Sequence, residues 1–521
     1  MTGSRKKLAI LAAVLLLVVV VLTITGLRLA KPSLKKLTLE VLSEKFHADV
    51  QLDNIEILIF PRIQVHGSGL SMRFQGRTDL PPLIYVREFW AEAGLRSLLG
   101  KPWRIERIQM KGLSIHIPPK NGDEIQTGGN GGLRDWSKTK DIPILIGEIE
   151  ADDSQLEILP KSADKLSHVF ELHHILMRQV GLGRPVDFTA QLTNYKPPGE
   201  IKSTGSFGPW NADDPAETPL AATYTFMNAD LGVFKGISGI LSSRGKFGGV
   251  LNQIEVEGET DTPDFAVKTG GHPVSLHTTF SATVDGTNGN TLLHPVRAQF
   301  LNSTVVANGE VVKAEGNQGK KGRAVRLDVA VSDARLEDML RLAVKGEPVM
   351  TGAMGFHAQM ELPPDEGDVM ERLNLTGIFG VHSAEFTDQK ISAKVQTLSR
   401  KGEGKPGDKD AGSDVSSLQG NFALDNSVLT FRQLTFAVTG ANVQLNGTYG
   451  LENEKLDFYG RLRLQAKLSQ TMTGFKSDLL KPFDPFFRKN NATQIPIKVS
   501  GTREHPSFGL DFHDKEHQAG N

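Results

Sequence analysis

The amino-acid sequence predicts a mostly β protein that opens with one transmembrane helix and carries only a few short helices elsewhere. Three observations predict it: an uncharged apolar run near the N-terminus, period-two alternation of apolar residues after about residue 45, and scarce helical spacing beyond that run.

Residues 1–7 end in Arg5, Lys6 and Lys7, and Leu8–Leu27 then reads LAILAAVLLLVVVVLTITGL. Those 20 residues carry no charge, and at ~1.5 Å rise each they cover the ~30 Å hydrocarbon core of a bilayer. A cleaved secretory signal has a shorter apolar stretch and a small-residue cleavage site. Arg28-Leu-Ala-Lys-Pro32 offers no such site, so residues 8–27 are read as an uncleaved anchor. Arg28, Lys31, Lys35 and Lys36 balance the basic residues before the span, so the flanks do not choose an orientation.

Beyond the span, Ile55, Ile57 and Ile59 share one parity, as do Phe188, Ala190 and Leu192, Val325 to Val331, and Met354 to Met360. Val443 and Leu445 alternate with Gln444 and Asn446; Ile495, Ile497 and Val499 alternate with Pro496, Lys498 and Ser500. Such strands turn one face to apolar surroundings and the other, with Lys498, to water. A body of this length holds roughly 25–35 strands with their turns. Turns are expected at Gly67-Ser-Gly69, Asp285-Gly286 and Asn446-Gly447. The 118–140 stretch, Tyr195–Pro219 and Lys401–Ser413 read as loops, and 513–521 as a flexible tail. Helical spacing is expected only over Asp333–Val344, and over Phe475–Lys489, where Pro482 and Pro485 break it. These signals divide the body into regions 28–117, 141–330 and 331–512. Val305-Val-Ala-Asn-Gly309-Glu-Val311 and Val443-Gln-Leu-Asn-Gly447-Thr-Tyr449 form a weak internal echo.

The chemistry-bearing residues exclude more than they propose. Lys+Arg total 59 against 60 Asp+Glu, which leaves no basic surplus for nucleic acid. There is no Cys, hence no disulfide, thiolate metal site or Cys nucleophile. Ser238–Phe247 fails as a phosphate loop, because Ile240 and Phe247 stand where Gly and Ser/Thr are required. His173 and His174, with His168 nearby, are adjacent on a strand and point apart, so they read as surface and packing histidines. Asp261, Asp264 and Asp285 read as turn residues, and the 285–291 segment has too few carboxylates for a calcium loop. The expectation is therefore no enzyme, no catalytic residue, no cofactor and no metal.

The order of three stretches resembles the AsmA-like family of bacterial envelope proteins (AsmA/TamB/YhdP-type). They are Val50–Pro61 with Ile105–Ile115 (IERIQMKGLSI), Thr260–Phe265 through Val284–Gly289, and Gly420–Leu424 through Gly447–Tyr449 and Ile495–Pro506. Met110 stands where the family pattern usually has Leu. The resemblance implies an inner-membrane protein with a cytoplasmic N-terminus and a periplasmic body built as an elongated, curled β-sheet with an apolar groove. It further implies handling or conduction of phospholipid, or another envelope lipid, between inner and outer membranes. The alternative is a scaffold or assembly factor for outer-membrane proteins. Groove-lining candidates are Ile55, Ile57, Ile59, Val443, Leu445, Ile495, Ile497 and Val499.

Overall fold

The computed structural model describes residues 48–58, 61–74, 81–94, 97, 103–117, 144–159, 167–181, 183–211, 214–270, 272–316, 321–364, 367–408, 416–473, 475–489 and 492–510. The 8–27 span, Ile59, the 118–140 loop and the 513–521 tail lie outside the described residues. No helix among the described residues is long and apolar enough to cross a membrane. Those residues form mostly β structure, with 26 strands and five short α-helices. They group into two compact units.

The first unit takes the described residues of Met1–Asp230 with Ser242–Gly258 and Thr283–Gly289. Its strands are β1 (Ala48–Gln51), β2 (Asn54–Leu58), β3 (Ile63–Phe74), β4 (Ile84–Ala93) and β5 (Trp103–Ile117), then β6 (Ile144–Ile158), β7 (His168–Gly181), β8 (Val186–Tyr195), β9 (Pro198–Phe207) and β10 (Pro219–Asp230). β1 and β2 both pair antiparallel with β3, and β3, β4 and β5 continue antiparallel. β6 joins β5 in parallel, and β6 to β10 are again antiparallel neighbours. The expected loop at Tyr195–Pro219 thus contains strand β9; Pro198 and Pro219 begin strands, where no ladder N–H is lost, and Pro215 opens a 3₁₀ turn.

One face of β3 to β6 carries the deepest core, with Val65, Leu70, Ile84, Val86, Ile105, Ile108 and Ile146 each at most 2% exposed. Strict alternation does not produce that face. Val65 gives way to Leu70 and Met72 along β3, Val86 to Phe89 and Ala91 along β4, and Met110 to Leu113 and Ile115 along β5, all within one cluster. One change of parity, shared by the four strands, falls on the transverse row Gly69–Arg87–Gly112–Asp153, where φ is +66° at Gly69, +64° at Gly112 and +48° at Asp153; a second separates Ile105 from Ile108 on β5 and Ile146 from Ile149 on β6. A left-handed residue resets the pleat by one, so apolar side chains on both sides of the row reach the same core. This corrects the reading of Gly67-Ser-Gly69 as a turn. The segment lies inside β3, and Gly69 sits where a Cβ would come within 2.0 Å of the Asp53 carboxylate.

The second unit takes Leu231–Leu241, Glu259–Ala282 and the described residues of Asn290–Asn521. Along the chain come β11 (Ile237–Ser238), β12 (Ile240–Val250), β13 (Gln253–Val267) and β14 (Val274–Val284), the last three shared with the first unit. Then follow β15 (Thr291–Phe300), β16 (Ser303–Glu315), β17 (Lys321–Arg335), β18 (Met350–Leu362), β19 (Asn374–Phe386), β20 (Ser417–Asp425), β21 (Val428–Val438), β22 (Ala441–Gly450) and β23 (Lys455–Leu464). β24 (Arg488–Lys489), β25 (Ala492–Thr502) and β26 (Pro506–Leu510) complete the strands. β15 to β23 form an antiparallel meander, and β25 then pairs with β23 and with β26. The helices are α1 (Leu336–Ala343), α2 (Val369–Arg372), α3 (Gln389–Gly402), α4 (Phe475–Leu480) and α5 (Asp484–Phe487). α1 fits the expected Asp333–Val344 helix, shortened because β17 runs on to Arg335. α4 and α5 flank a 3₁₀ turn at Lys481–Phe483, the break expected from Pro482 and Pro485.

Three expectations here are corrected. Lys401–Ser413 does not begin as a loop: Lys401 and Gly402 close α3, and the Gly402 carbonyl accepts from the Ala466 N–H at 2.9 Å. Asp261 and Asp264 are strand residues of β13, bonded to the His277 ring at 2.7 Å and the Ile240 N–H at 2.9 Å. Asn446-Gly447 is no turn but the middle of β22, and its echo at Gly309 is the middle of β16. The echo is nonetheless structural. Both glycines face a neighbouring strand beside a bulge, and a Cβ would lie 2.0 Å from the Arg326 carbonyl at Gly309 and 2.1 Å from the Asp457 carbonyl at Gly447.

Candidate functional site

Strand register decides which predicted residues meet. From β21 to β25, Phe436, Val443, Leu462 and Ile495 stand in one transverse row, and Leu434, Leu445, Gly460 and Ile497 in the next. Phe431, Gly447, Phe458 and Val499 form a third. Five of the predicted groove residues therefore share one apolar face of four neighbouring strands, β21, β22, β23 and β25. Aromatic rings reinforce it: the Phe379 ring lies 6.1 Å from both Phe422 and Phe431, and Phe431 lies 5.9 Å from Phe458.

The opposite face is polar. Gln419, Thr435, Gln444 and Arg461 follow one another across β20 to β23. Farther back, Arg326 bridges Glu310 and Glu361 at 3.2 Å each. Lys498 lies on this face as expected from parity, but not in open water. It is half-buried, its Nζ 2.7 Å from the Tyr459 hydroxyl and 4.5 Å from the ring centroid.

Helices cover parts of the apolar face. Val395 and Leu398 of α3 pack with Val438, Ala441, Leu464 and Ile495 at the strand ends. The Asp388 side chain caps α3 by accepting from the Lys390 and Ile391 N–H groups, which hold its carboxyl below the usual carboxylate range. Leu445, Ile497 and Val499, one and two rows away, belong to none of the buried clusters and are only half-buried. At the sheet edge, β26 adds Phe508 at 70% and Leu510 at 58% exposure, opposite Val499 and Ile497.

Ile55 and Ile57 sit elsewhere, in the first unit, packed against the buried core cluster around Val65, Val86 and Ile108. Register brings neither of them to the C-terminal candidates. α3 was missed by sequence reasoning, although Asp388 followed by Ile391, Val395 and Leu398 is a cap and a helical apolar spacing.

Polar clusters are mainly cross-strand pairs. His116 faces Glu157, His277 faces Asp261 and His357 faces Asp328. His173 bonds Thr193 and His174 bonds Asp152, each at 2.7 Å, so the adjacent histidines part to different strands. Glu150, Asp152 and His174 place three potential ligand atoms within 4.8 Å of one another, the set among the described residues that could hold a cation. Glu150 is already bonded by the Gln109 amide at 2.8 Å and Asp152 by His174, as expected for a satisfied polar face. Ser238–Phe247 is strand rather than a phosphate loop, with Lys246 paired to Glu257 at 3.0 Å. No family model, curated protein or solved structure matches the chain.

Proposed function

We propose that this chain handles phospholipid between the two membranes of a bacterial envelope, as a non-enzymatic protein anchored in the inner membrane with its body in the periplasm. The observation that carries this reading is the half-buried apolar face at Leu445, Ile497 and Val499, backed by a polar face on the same strands. A phospholipid with two acyl chains has about 30 methylenes, and at ~0.8 kcal/mol each their exposure to water costs on the order of 20–25 kcal/mol. A one-sided sheet replaces that exposure while the head group stays in solvent. The likeness in order of the three stretches to the AsmA-like family supports the same reading, as does the uncharged 8–27 run.

A photo-crosslinking residue at Ile497 is expected to capture lipid, and one at Lys498 is not. Equal labelling at both positions refutes a one-sided lipid face. A second reading, a scaffold for outer-membrane proteins, is favoured by β26. It pairs with β25 alone among the described strands and exposes Phe508 and Leu510, an edge that a client strand could extend. Organic extraction of the purified full chain separates the two: co-purifying phospholipid supports lipid handling, and a bound outer-membrane protein without lipid supports the scaffold.

A further inference from the structure

The apolar rows do not stop at β21. The Leu445 row continues through Leu434 and Gly420 to Phe379 and Phe356, and the Val443 row through Phe436 and Leu418 to Val381 and Met354. Yet part of the surface on β18 and β19 is covered. Helix α1 lies on it. Leu336 is buried in a cluster with Met350, Val381 and Ala384, with Met354, Phe379 and Leu418 packed alongside. Leu340 joins this cluster and also the next one, where Leu375 and Leu424 pack. Leu375 and Val381 are six residues apart on β19, about 20 Å at strand rise. Through Leu340 and Val344, the residue just after the helix, α1 reaches from the rows at one end of the face toward those at the other.

Two acidic side chains on the solvent-averted side of this helix hold it there. Asp338 is only 4% exposed, and its carboxylate accepts from the Asn302 N–H at 2.9 Å and the Ser303 hydroxyl at 2.7 Å. The Ser303 oxygen in turn accepts from the Arg335 N–H, one residue before α1, at 3.0 Å. Glu337 accepts from the Gly352 N–H of β18 at 3.1 Å. A buried carboxylate is tolerated only where hydrogen bonds replace its lost hydration, so Asp338 has one low-energy place to be, and it fixes the helix.

We infer that α1 is a fixed stop in the acyl bed, latched by Asp338. An acyl chain lying along the rows is confined to β21–β25 and does not extend under α1 onto β18 and β19. Four neighbouring strands, β21, β22, β23 and β25, at ~4.8 Å spacing make this open bed about 14 Å across. The inference rests on the lipid-handling reading and adds to it where the lipid lies and what ends its bed.

The test uses the full chain in membranes with a small aliphatic diazirine residue placed at Leu445, on the open bed, or at Met354, under α1. In the otherwise unchanged protein, lipid adduct at Leu445 is expected to exceed that at Met354 at least tenfold. Asp338→Ala, which removes both latch bonds, is expected to bring the ratio to within threefold of one, while Asp338→Asn, which keeps an acceptor oxygen, largely retains it. Equal labelling at the two positions in the unchanged protein overturns the stop and leaves the lipid reading standing. A folded Asp338→Ala protein with an unaltered ratio overturns the latch. Should Asp338→Ala fail to fold, the ratio in the unchanged protein and in Asp338→Asn still decides for or against the stop. Absence of adduct at both positions overturns the lipid reading, and the stop with it.

Discussion

Gly112→Ala tests the parity-reset row of the first unit directly. Gly112 has φ +64°, which costs an L-residue roughly 1–2 kcal/mol relative to glycine. The added Cβ would stand 3.0 Å from the Arg87 Cβ and 3.2 Å from its Nε and Cζ. The Arg87 side chain is 56% exposed and its guanidinium can swing away, but its Cβ is fixed by β4. Against these terms, alanine restricts the unfolded chain and returns about 0.4–1 kcal/mol. The net expectation is a loss of about 1–2 kcal/mol. At an m value of ~3 kcal/mol/M this lowers the urea midpoint by about 0.5 M. Trp fluorescence follows it conveniently, because Trp90 lies on the neighbouring strand. Asp153→Gly supplies the opposite sign at the same row. It relieves φ +48° and gives up only a solvent-exposed 3.8 Å pair with Arg87, so stability is expected to hold or rise by up to about 1 kcal/mol. An unchanged midpoint for Gly112→Ala, or a clear loss for Asp153→Gly, would refute the assignment of this row as a left-handed reset of β3, β5 and β6.

Other outcomes follow from single sites. Burial pulls the Asp285 carboxyl upward, but bonds from the Thr287 hydroxyl and N–H and from Asn288 outweigh it and hold the group below its ordinary value of 3.8. A depressed carboxyl contributes stability above its unfolded value that is lost as pH falls through the folded one; the stability gap between the native chain and Asp285→Asn should therefore close below about pH 4. The Tyr449 hydroxyl is buried without a partner among the described residues, and burial, with Glu454 behind it, pushes the phenol up despite Arg503. Tyr449→Phe should be neutral or stabilise by up to about 1 kcal/mol in chemical denaturation, and a loss would reveal a bond to that oxygen. Asp388→Ala should speed amide exchange across Gln389–Gly402 without altering exchange in β22, and unchanged exchange would remove its role as the cap of α3.

The C-terminal half of the apolar face was legible because Ile495, Ile497 and Val499 alternate without a glycine between them, so parity alone fixes their side. Ile55 and Ile57 alternate just as cleanly, yet pack against the buried core of the first unit. Periodicity says that a face is apolar, not what lies against it. Asn446-Gly447 misled because the pair has turn chemistry, whereas Gly447 answers a different need, close approach to the Asp457 carbonyl of the neighbouring strand. The position of α1 was invisible in the sequence: its spacing announces a helix, but only the long-range bonds from Asp338 to Asn302 and Ser303 place it on the sheet. Helix α3 could have been read from Asp388 and its apolar spacing, but the charged KGEGKPGDKD segment that begins in its last turn drew attention away from it.

The row through Gly69, Arg87, Gly112 and Asp153 also constrains how the gene can change length. Gaining or losing one codon within β3, β4, β5 or β6 would turn everything beyond that point inside out while the adjoining strands kept their orientation. Half of the strand would then present its charges to the core. A second, compensating change on the same strand could restore the match, but one elsewhere could not, since each strand is read against its neighbours at this row. Length variation among descendants of this sequence should therefore collect in the connections and be nearly absent from these four strands.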